Sequence, residues 1–312
     1  MFQRNCRSPD QLRRLTAALR EAVGRHAPIL IDQEGGRVQR MRAPHWREWM
    51  PPLDQVDALA SSGGVSPKAE RAMYLRGFLI GTELLDHGID VNCAPCADVA
   101  RPGTHPFLKN RCLGSSPPVV TVTARALAAG LTDAGCLPVL KHAPGHGRAT
   151  RDSHEALPCI DASLAELWET DFLPFRKLAD LPMTMTAHVV LPEIDPERPV
   201  TLSEAGVTYL REELGLSGLL LTDDISMGAL SGKVESRAAS AREAGCDLVL
   251  HCSGDLSEMS AIAAAVGEMS SSARRLADIA FSGRTSPLDV DICDFEAEFA
   301  ALTQEAKENA GW

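Results

Sequence analysis

Aromatic side chains are scarce in this sequence: 4% of 312 residues, as 8 Phe, 4 Trp and 2 Tyr. That argues against any extended cleft that works by stacking rings along its length. Positive charge is short too, because Lys+Arg 31 against Asp+Glu 42 leave a formal net charge of −11. A phosphate backbone needs a basic face, so nucleic acid is excluded as a main partner. No apolar run approaches the roughly 20 residues of a membrane-spanning helix. The opening MFQRNCRSPDQLRRL is positively charged but has no apolar core behind it, so it does not read as a secretory signal. A cytoplasmic chain without a membrane partner is expected. No G-x-G-x-x-G follows a strand pattern, so a dinucleotide cofactor has no support. The nine cysteines are an odd number scattered through apolar stretches such as VNCAPC, AGCLPVL and AGCDLVLHC. They read as reduced, buried thiols. Cys93 and Cys96 form one C-x-x-C with no second pair, which suits core packing better than metal or redox chemistry.

What is present is a mixed, globular composition, 45% hydrophobic and 23% charged. The length allows two domains of roughly 150 residues or a single α/β barrel of about 250. Short Val/Ile/Leu-rich runs recur, bounded by Gly, Pro or Asp: PILIDQE from Pro28, GIDVNCAP from Gly88, CLPVLKH from Cys136, PMTMTAHV from Pro182, GLLLTDD from Gly218 and CDLVLHC from Cys246. Between them apolar residues fall at three- and four-residue spacing, predicting helices from Ala69, Val119, Ser163 and Ser203. Near-continuous apolar strands separated by helices predict a parallel sheet covered on its faces.

Polar residues gather at the C-terminal ends of these strands. PILI leads into Asp32, GID into Asn92, PVL into Lys141 and His142, MTMTA into His188, and LLLT into Asp223 and Asp224. Any one could be a strand-end cap. Their recurrence points to one shared site, since the strand C-termini form the mouth of a (β/α) barrel.

Two segments carry the chemistry. KHAPGHGRATRDSHEALP, from Lys141 to Pro158, leaves its strand as a Gly/Pro-rich loop bearing His142, His146 and His154, with Asp152 just ahead of His154. An Asp that accepts an imidazole N–H fixes the tautomer and raises basicity, which makes a better proton shuttle. Three histidines and an Asp could also ligate zinc, but the spacing matches no zincin pattern and Lys141 would repel a cation. The second segment, GLLLTDDISMGAL from Gly218, brings Asp223 out of the core at a strand end. An ionised carboxylate held there can attack an electrophilic carbon, with a second group protonating the leaving oxygen. Spacing leaves open whether Asp223 or Asp224 is that carboxylate.

Together KHAPGHGRATRDSH, IDQEGGRVQR, GIDVNCAP and LLTDDISM resemble the β-N-acetylglucosaminidases of glycoside hydrolase family 3, of the bacterial cell-wall recycling type, from about Phe2 to Gly254. The resemblance implies an α/β (β/α)8 TIM-like barrel as a single domain over 1–312, with about 255–312 as a closing helical region. It also implies a retaining exo-hydrolase in the cytoplasm, monomeric and without metal or cofactor. The substrate would be a glycan, terminal β-linked N-acetylglucosamine on 1,6-anhydromuropeptides. Carried over by motif, Asp223 becomes the nucleophile and His154 the acid/base, with Asp152 its partner. Asp32, Arg40, Arg111, Lys141 and His142 become sugar-binding residues, Glu34 a buried structural carboxylate and His146 a loop-shaping residue. Departures from the family pattern at Ala143, Cys112, Leu113 and Cys93 change packing around the pocket, not its chemical groups.

In the family about 30 residues carrying the first strand precede the motif matched by residues 2–5, so either the start is assigned too late or the barrel has an open seam beside PILIDQE, with six strands legible where eight are usual. Rival readings are a phosphorylase on the same fold, a metal-dependent hydrolase using His142, His146 and His154, and a silent barrel that only binds. The intact set of Asp223, Asp152 and His154 weighs against the last.

Overall fold

The computed structural model describes residues 1–60, 64–150 and 156–311. The first part of the chain forms α1 (Pro9–Val23), β1 (Leu30–Ile31), β2 (Gln33–Gly35), β3 (Val38–Gln39), α2 (Pro52–Ala58), α3 (Pro67–Asp86), β4 (Val91–Asn92), α4 (Pro106–Lys109), α5 (Pro117–Asp133) and β5 (Leu137–Pro138). There follow β6 (Leu140–Ala143), α6 (Leu164–Glu169), α7 (Leu173–Lys177), β7 (Met183–Thr186), α8 (Glu204–Glu212), β8 (Leu219–Asp224), α9 (Val234–Ala244), β9 (Leu248–Leu250), α10 (Leu256–Val266), α11 (Ser271–Ser282) and α12 (Ile292–Ala310). Strand, helix and parallel strand alternate as the sequence predicts. This is an α/β fold of the (β/α) barrel type. All six predicted strand segments carry strands.

One of them is divided between two parallel sheets. CLPVLKH reads as a single apolar run, but Leu137–Pro138 pairs with β4 while Leu140–Ala143 pairs with β7. Val139 ends the middle stretch of one compact unit of the chain, and Leu140 continues the other.

The first unit comprises the chain up to Cys96, Asn110–Val139 and the segment from Phe281. Its three-stranded sheet runs in the order β1-β4-β5, all parallel, with Leu30 opposite Val91 and Val91 opposite Leu137, and β2 and β3 form a separate antiparallel pair. Helix α1 starts where Ser8 accepts the Gln11 N–H and Pro9 fits the first turn, and it ends at Gly24 with φ +65°. Helices α3 and α5 cross backbone to backbone. A Cβ on Gly77 would lie 2.2 Å from the Leu127 carbonyl, and one on Gly130 would lie 2.0 Å from that of Tyr74. Helix α12 lies on α3: Phe295 packs on Tyr74 and Phe78, while Glu298 pairs with Arg71 and Glu305 with Lys68. At the N-terminal end of β4 the buried Asp90 carboxylate gathers Arg20 at 2.6 Å, Arg284 at 2.5 Å and the Ile29 N–H at 3.0 Å.

The second unit comprises Ala97–Lys109 and Leu140–Ala280. Its strands run β6-β7-β8-β9, again all parallel. Leu219, Leu220 and Leu221 are buried in the centre of this sheet, and each such side chain contributes about 1.5–3 kcal/mol by leaving water. Ile225, Leu230, Ala238 and Ile262 form a cluster beneath α9 and α10. The helix predicted from Ser163 is broken into α6 and α7. Pro174 has no N–H to donate and its ring crowds the carbonyl four residues back, at Thr170. The chain turns there, and Asp171, 1% exposed, points inward.

Among the described residues no helix is long and apolar enough to cross a membrane. None of the nine cysteines forms a disulfide; five are buried, whereas Cys159 and Cys293 are exposed, against the expectation that all are interior.

Candidate active site

Strand β8 delivers Asp223 and Asp224 as its last two residues, and their carboxylates have different surroundings. That of Asp224 is bound locally: Oδ1 accepts the Ser226 N–H at 2.9 Å and the Cys252 N–H at 3.1 Å, and the Ser226 hydroxyl lies 2.7 Å from both oxygens. It closes the turn that leaves the strand. Asp223 instead accepts one backbone N–H, that of Asp224 at 2.8 Å. Burial works against the charge of Asp223. The nearby His142 and His188 rings, that N–H and the Lys141 ammonium outweigh it, and the carboxyl lies below the ordinary carboxylate value. Asp223 is therefore an anion at neutral pH.

Strand β6 supplies Lys141 and His142, which are 1% and 2% exposed. The His142 ring is oriented by a residue that spacing did not reveal, Asp98, whose Oδ2 accepts from Nδ1 at 2.7 Å. The same carboxylate accepts the His146 N–H at 2.8 Å, and the His142 and His146 rings face each other with centroids 4.8 Å apart. Asp98 is fully buried; burial would raise its pKa, but the two imidazoles and these hydrogen bonds hold it well below the ordinary carboxylate range. A carboxylate that fixes an imidazole is the device expected of Asp152 and His154, and Asp98 and His142 form one of the same kind. Its only signal in the sequence is a buriable Asp in the loop after NCAPCA. His146, for which the resemblance implies a loop-shaping role, lies against this pair.

His188 follows the C-terminal end of β7. Burial pushes its pKa below the ordinary histidine value, overriding the pull of Asp223 and of the Asp224 carbonyl. A neutral ring that donates from Nε2 to the Asp224 carbonyl, 3.0 Å away, must accept at Nδ1, where the Thr201 hydroxyl lies at 2.9 Å. Thr186 backs Thr201 at 2.8 Å. The ring thus braces the peptide that leaves Asp224 for Ile225.

In the first unit, Arg40 donates to Asp32 Oδ2 at 2.8 Å, and both side chains remain about a quarter exposed. The Arg40 guanidinium also lies over the Phe2 ring. Arg111 is gripped by Glu34 through two hydrogen bonds of 2.9 Å each. Burial disfavours its charge, but Glu34 more than offsets that and raises its pKa. Glu34 is thus a buried partner of Arg111, as its structural reading anticipates. Asn92 brackets Gln33 by accepting its N–H and donating to its carbonyl, both at 3.0 Å, which fixes the backbone beside Asp32. His154 and Asp152 lie outside the described residues. So does one of the three imidazoles that the zinc reading requires.

Residues 1–280 match the family described as Glycosyl hydrolase family 3 N terminal domain. The chain is 42% identical to a Beta-hexosaminidase of Alkalilimnicola ehrlichii over 81% of its own length and 72% of that protein's. It is 37% identical to a Beta-hexosaminidase of Methylococcus capsulatus over 91% of its own length and 84% of that protein's. Among solved structures it is similar to NagZ from Neisseria gonorrhoeae in complex with N-trifluoroacetyl-D-glucosamine, with a TM-score of 0.84, 29% identity and coverage of 98% of this chain and 89% of that one.

Proposed function

Because this chain belongs to glycosyl hydrolase family 3, we propose that it is a retaining exo-β-N-acetylglucosaminidase. The observation that carries the reading is Asp223: a carboxylate at a strand's C-terminal end, held below the ordinary carboxylate value beside the His142 ring, the Asp224 N–H and the Lys141 ammonium. Such a group attacks the anomeric carbon, and the bond to the leaving oxygen breaks as that oxygen takes a proton from His154. In the second step His154, now a base, accepts a proton from water, and the water oxygen displaces Asp223 to restore the original configuration. An imidazole suits both steps because its ordinary pKa lies near neutrality. Asp152 is its partner in this scheme. Asp32, Arg40, Arg111, Lys141 and His142 hydrogen-bond sugar oxygens.

The substrate is terminal β-1,4-linked N-acetylglucosamine on a 1,6-anhydromuropeptide, and the setting is peptidoglycan recycling in the cytoplasm by a monomer. Relatives named Beta-hexosaminidase and a structural neighbour holding an N-acylated glucosamine support the choice of sugar. The low aromatic content supports a pocket for a chain end over a long groove.

Hydrolysis of an aryl β-N-acetylglucosaminide tests the reading. Asp223→Ala should abolish turnover, and His154→Ala should lose most activity on poor leaving groups. Wild-type turnover in Asp223→Ala overturns the mechanism. Sugar phosphate as the product in phosphate buffer would replace hydrolase by phosphorylase.

A further inference from the structure

The chain that runs on to Asp152 and His154 leaves β6 through a stem, residues 144–150, held by groups of the second unit. Thr104 donates to the Gly147 carbonyl at 2.5 Å, and the His105 N–H donates to that of Ala149 at 3.0 Å. The stem is close-packed as well. A Cβ on Gly147 would lie 2.1 Å from the Val99 carbonyl, and one on Gly145 would lie 2.8 Å from the Asp171 carbonyl. Both glycines are required by backbone approach, so the stem has one way to sit.

At the centre of these attachments is the Asp171 side chain, 0% exposed. Its Oδ2 receives Arg148 Nε at 2.7 Å, Arg101 Nη2 at 2.9 Å and the Thr170 hydroxyl at 2.7 Å. Arg148 belongs to the stem, and Arg101 to the neighbouring loop that also holds Thr104. Glu166 of α6 takes the other side of Arg148 at 2.6 Å. One buried carboxylate therefore ties two loops to the break between α6 and α7. Charge-assisted hydrogen bonds in a dry site are strong and directional, and removing the shared acceptor leaves two guanidinium groups without it.

We propose that Asp171 is a positioning residue for the glycosidase reaction: by fixing Arg148 and Arg101 it sets the stem from which the chain continues to Asp152 and His154. The proposal builds on the acid/base assignment of His154. A small displacement of a proton donor costs much more rate than stability, since proton transfer needs hydrogen-bond reach in the transition state. Asp171 touches no reacting atom, so its effect must appear through the proton that His154 delivers.

The test is kcat/KM, which covers the steps through leaving-group departure, for Asp171→Asn, Arg148→Gln, His154→Ala and wild type on two aryl β-N-acetylglucosaminides. One carries an activated nitrophenolate leaving group and the other a poor phenolate one. The expected result is a loss of about ten-fold or more on the poor leaving group and much less on the activated one, in both Asp171→Asn and Arg148→Gln. Asp171→Glu, which keeps the charge, should recover part of the loss. An equal fall on both substrates, tracking a lowered melting temperature, would make Asp171 merely structural and overturn the proposal. If His154→Ala shows the leaving-group dependence and the other two variants do not, the proposal alone fails. If His154→Ala shows none, the acid/base assignment fails first and the proposal falls with it. Should Asp171→Asn not fold, Arg148→Gln, which removes a partner whose side chain is 19% exposed, decides the matter.

Discussion

Asp223 and Asp224 are consecutive, yet the N–H of Asp224 donates to the Asp223 carboxylate at 2.8 Å while the Asp224 carboxylate is bound by Ser226 and the Cys252 N–H. One aspartate is engaged by its own turn; the other faces the Lys141 ammonium, two imidazole rings and one backbone N–H. Replacing each in turn should separate them. Asp223→Asn is expected to lower kcat/KM by about a thousand-fold or more, as loss of a nucleophile does. Asp224→Asn keeps an acceptor for Ser226 and should lose far less. Equal losses in the two variants would refute the assignment.

Asp98 gives a dependence on acid. Its folded pKa is depressed by its imidazole partners, so its carboxylate stabilises the fold above an unfolded value near 3.9, and that contribution is lost as pH falls through and below this value. Asp98→Asn should cost about 2 kcal/mol or more at pH 7, by leaving His142 without an anionic acceptor. The gap between variant and wild type should narrow below about pH 4. Urea melts at pH 7 and pH 3.5 decide this; a gap that is constant across pH speaks against it.

Glu83 has the opposite sign. Burial raises its carboxyl to about 7, against the lowering effect of Arg47, in a cavity of about 240 Å³ also lined by Trp49, Asp86 and Glu296. A raised pKa means that the contribution is intact below the unfolded value near 4.3 and is lost as pH rises to about 7. Glu83→Gln should therefore be neutral at pH 4 and stabilising at pH 8 by on the order of 2 kcal/mol. A melting-temperature gain that is the same at both pH values would contradict this.

Gly35 tests the buried arginine. Arg76 is fully buried and donates to Gln55, to the Glu34 carbonyl and to the Met50 carbonyl, each at 2.7 Å. A Cβ on Gly35, whose φ is +103°, would lie 1.8 Å from Arg76 Nη2. Gly35→Ala must displace the guanidinium as well as strain the backbone, and a loss of about 3 kcal/mol or more is expected. A loss under about 1 kcal/mol in denaturant melts would show that the arginine relocates freely.

The strands and the polar residues at their ends were legible because they follow local rules: apolar runs bounded by Gly, Pro and Asp, with ionisable groups where the strand stops. Asp98 was not legible, because its meaning comes from His142, which lies 44 positions away. Asp171 was hidden for the same reason. It reads as one more polar residue in a helical pattern until Arg101, 70 positions distant, is seen upon it. The double duty of CLPVLKH was equally invisible, since an apolar run says that a strand exists but not which neighbours it joins. Pro174 was the one local clue left unused. It announces the helix break, although nothing in its own segment says what the break is for.

That break gives the chain a conflict between regularity and placement. Pro174→Ala would improve helix propensity and invite α6 and α7 to merge. A continuous helix would carry Asp171 around its axis by about 100° per residue healed, away from the two arginines. A protein engineered for helix content at this point would gain a tidier secondary structure and misplace the segment it was meant to support. The apparent defect is the address at which two distant loops meet.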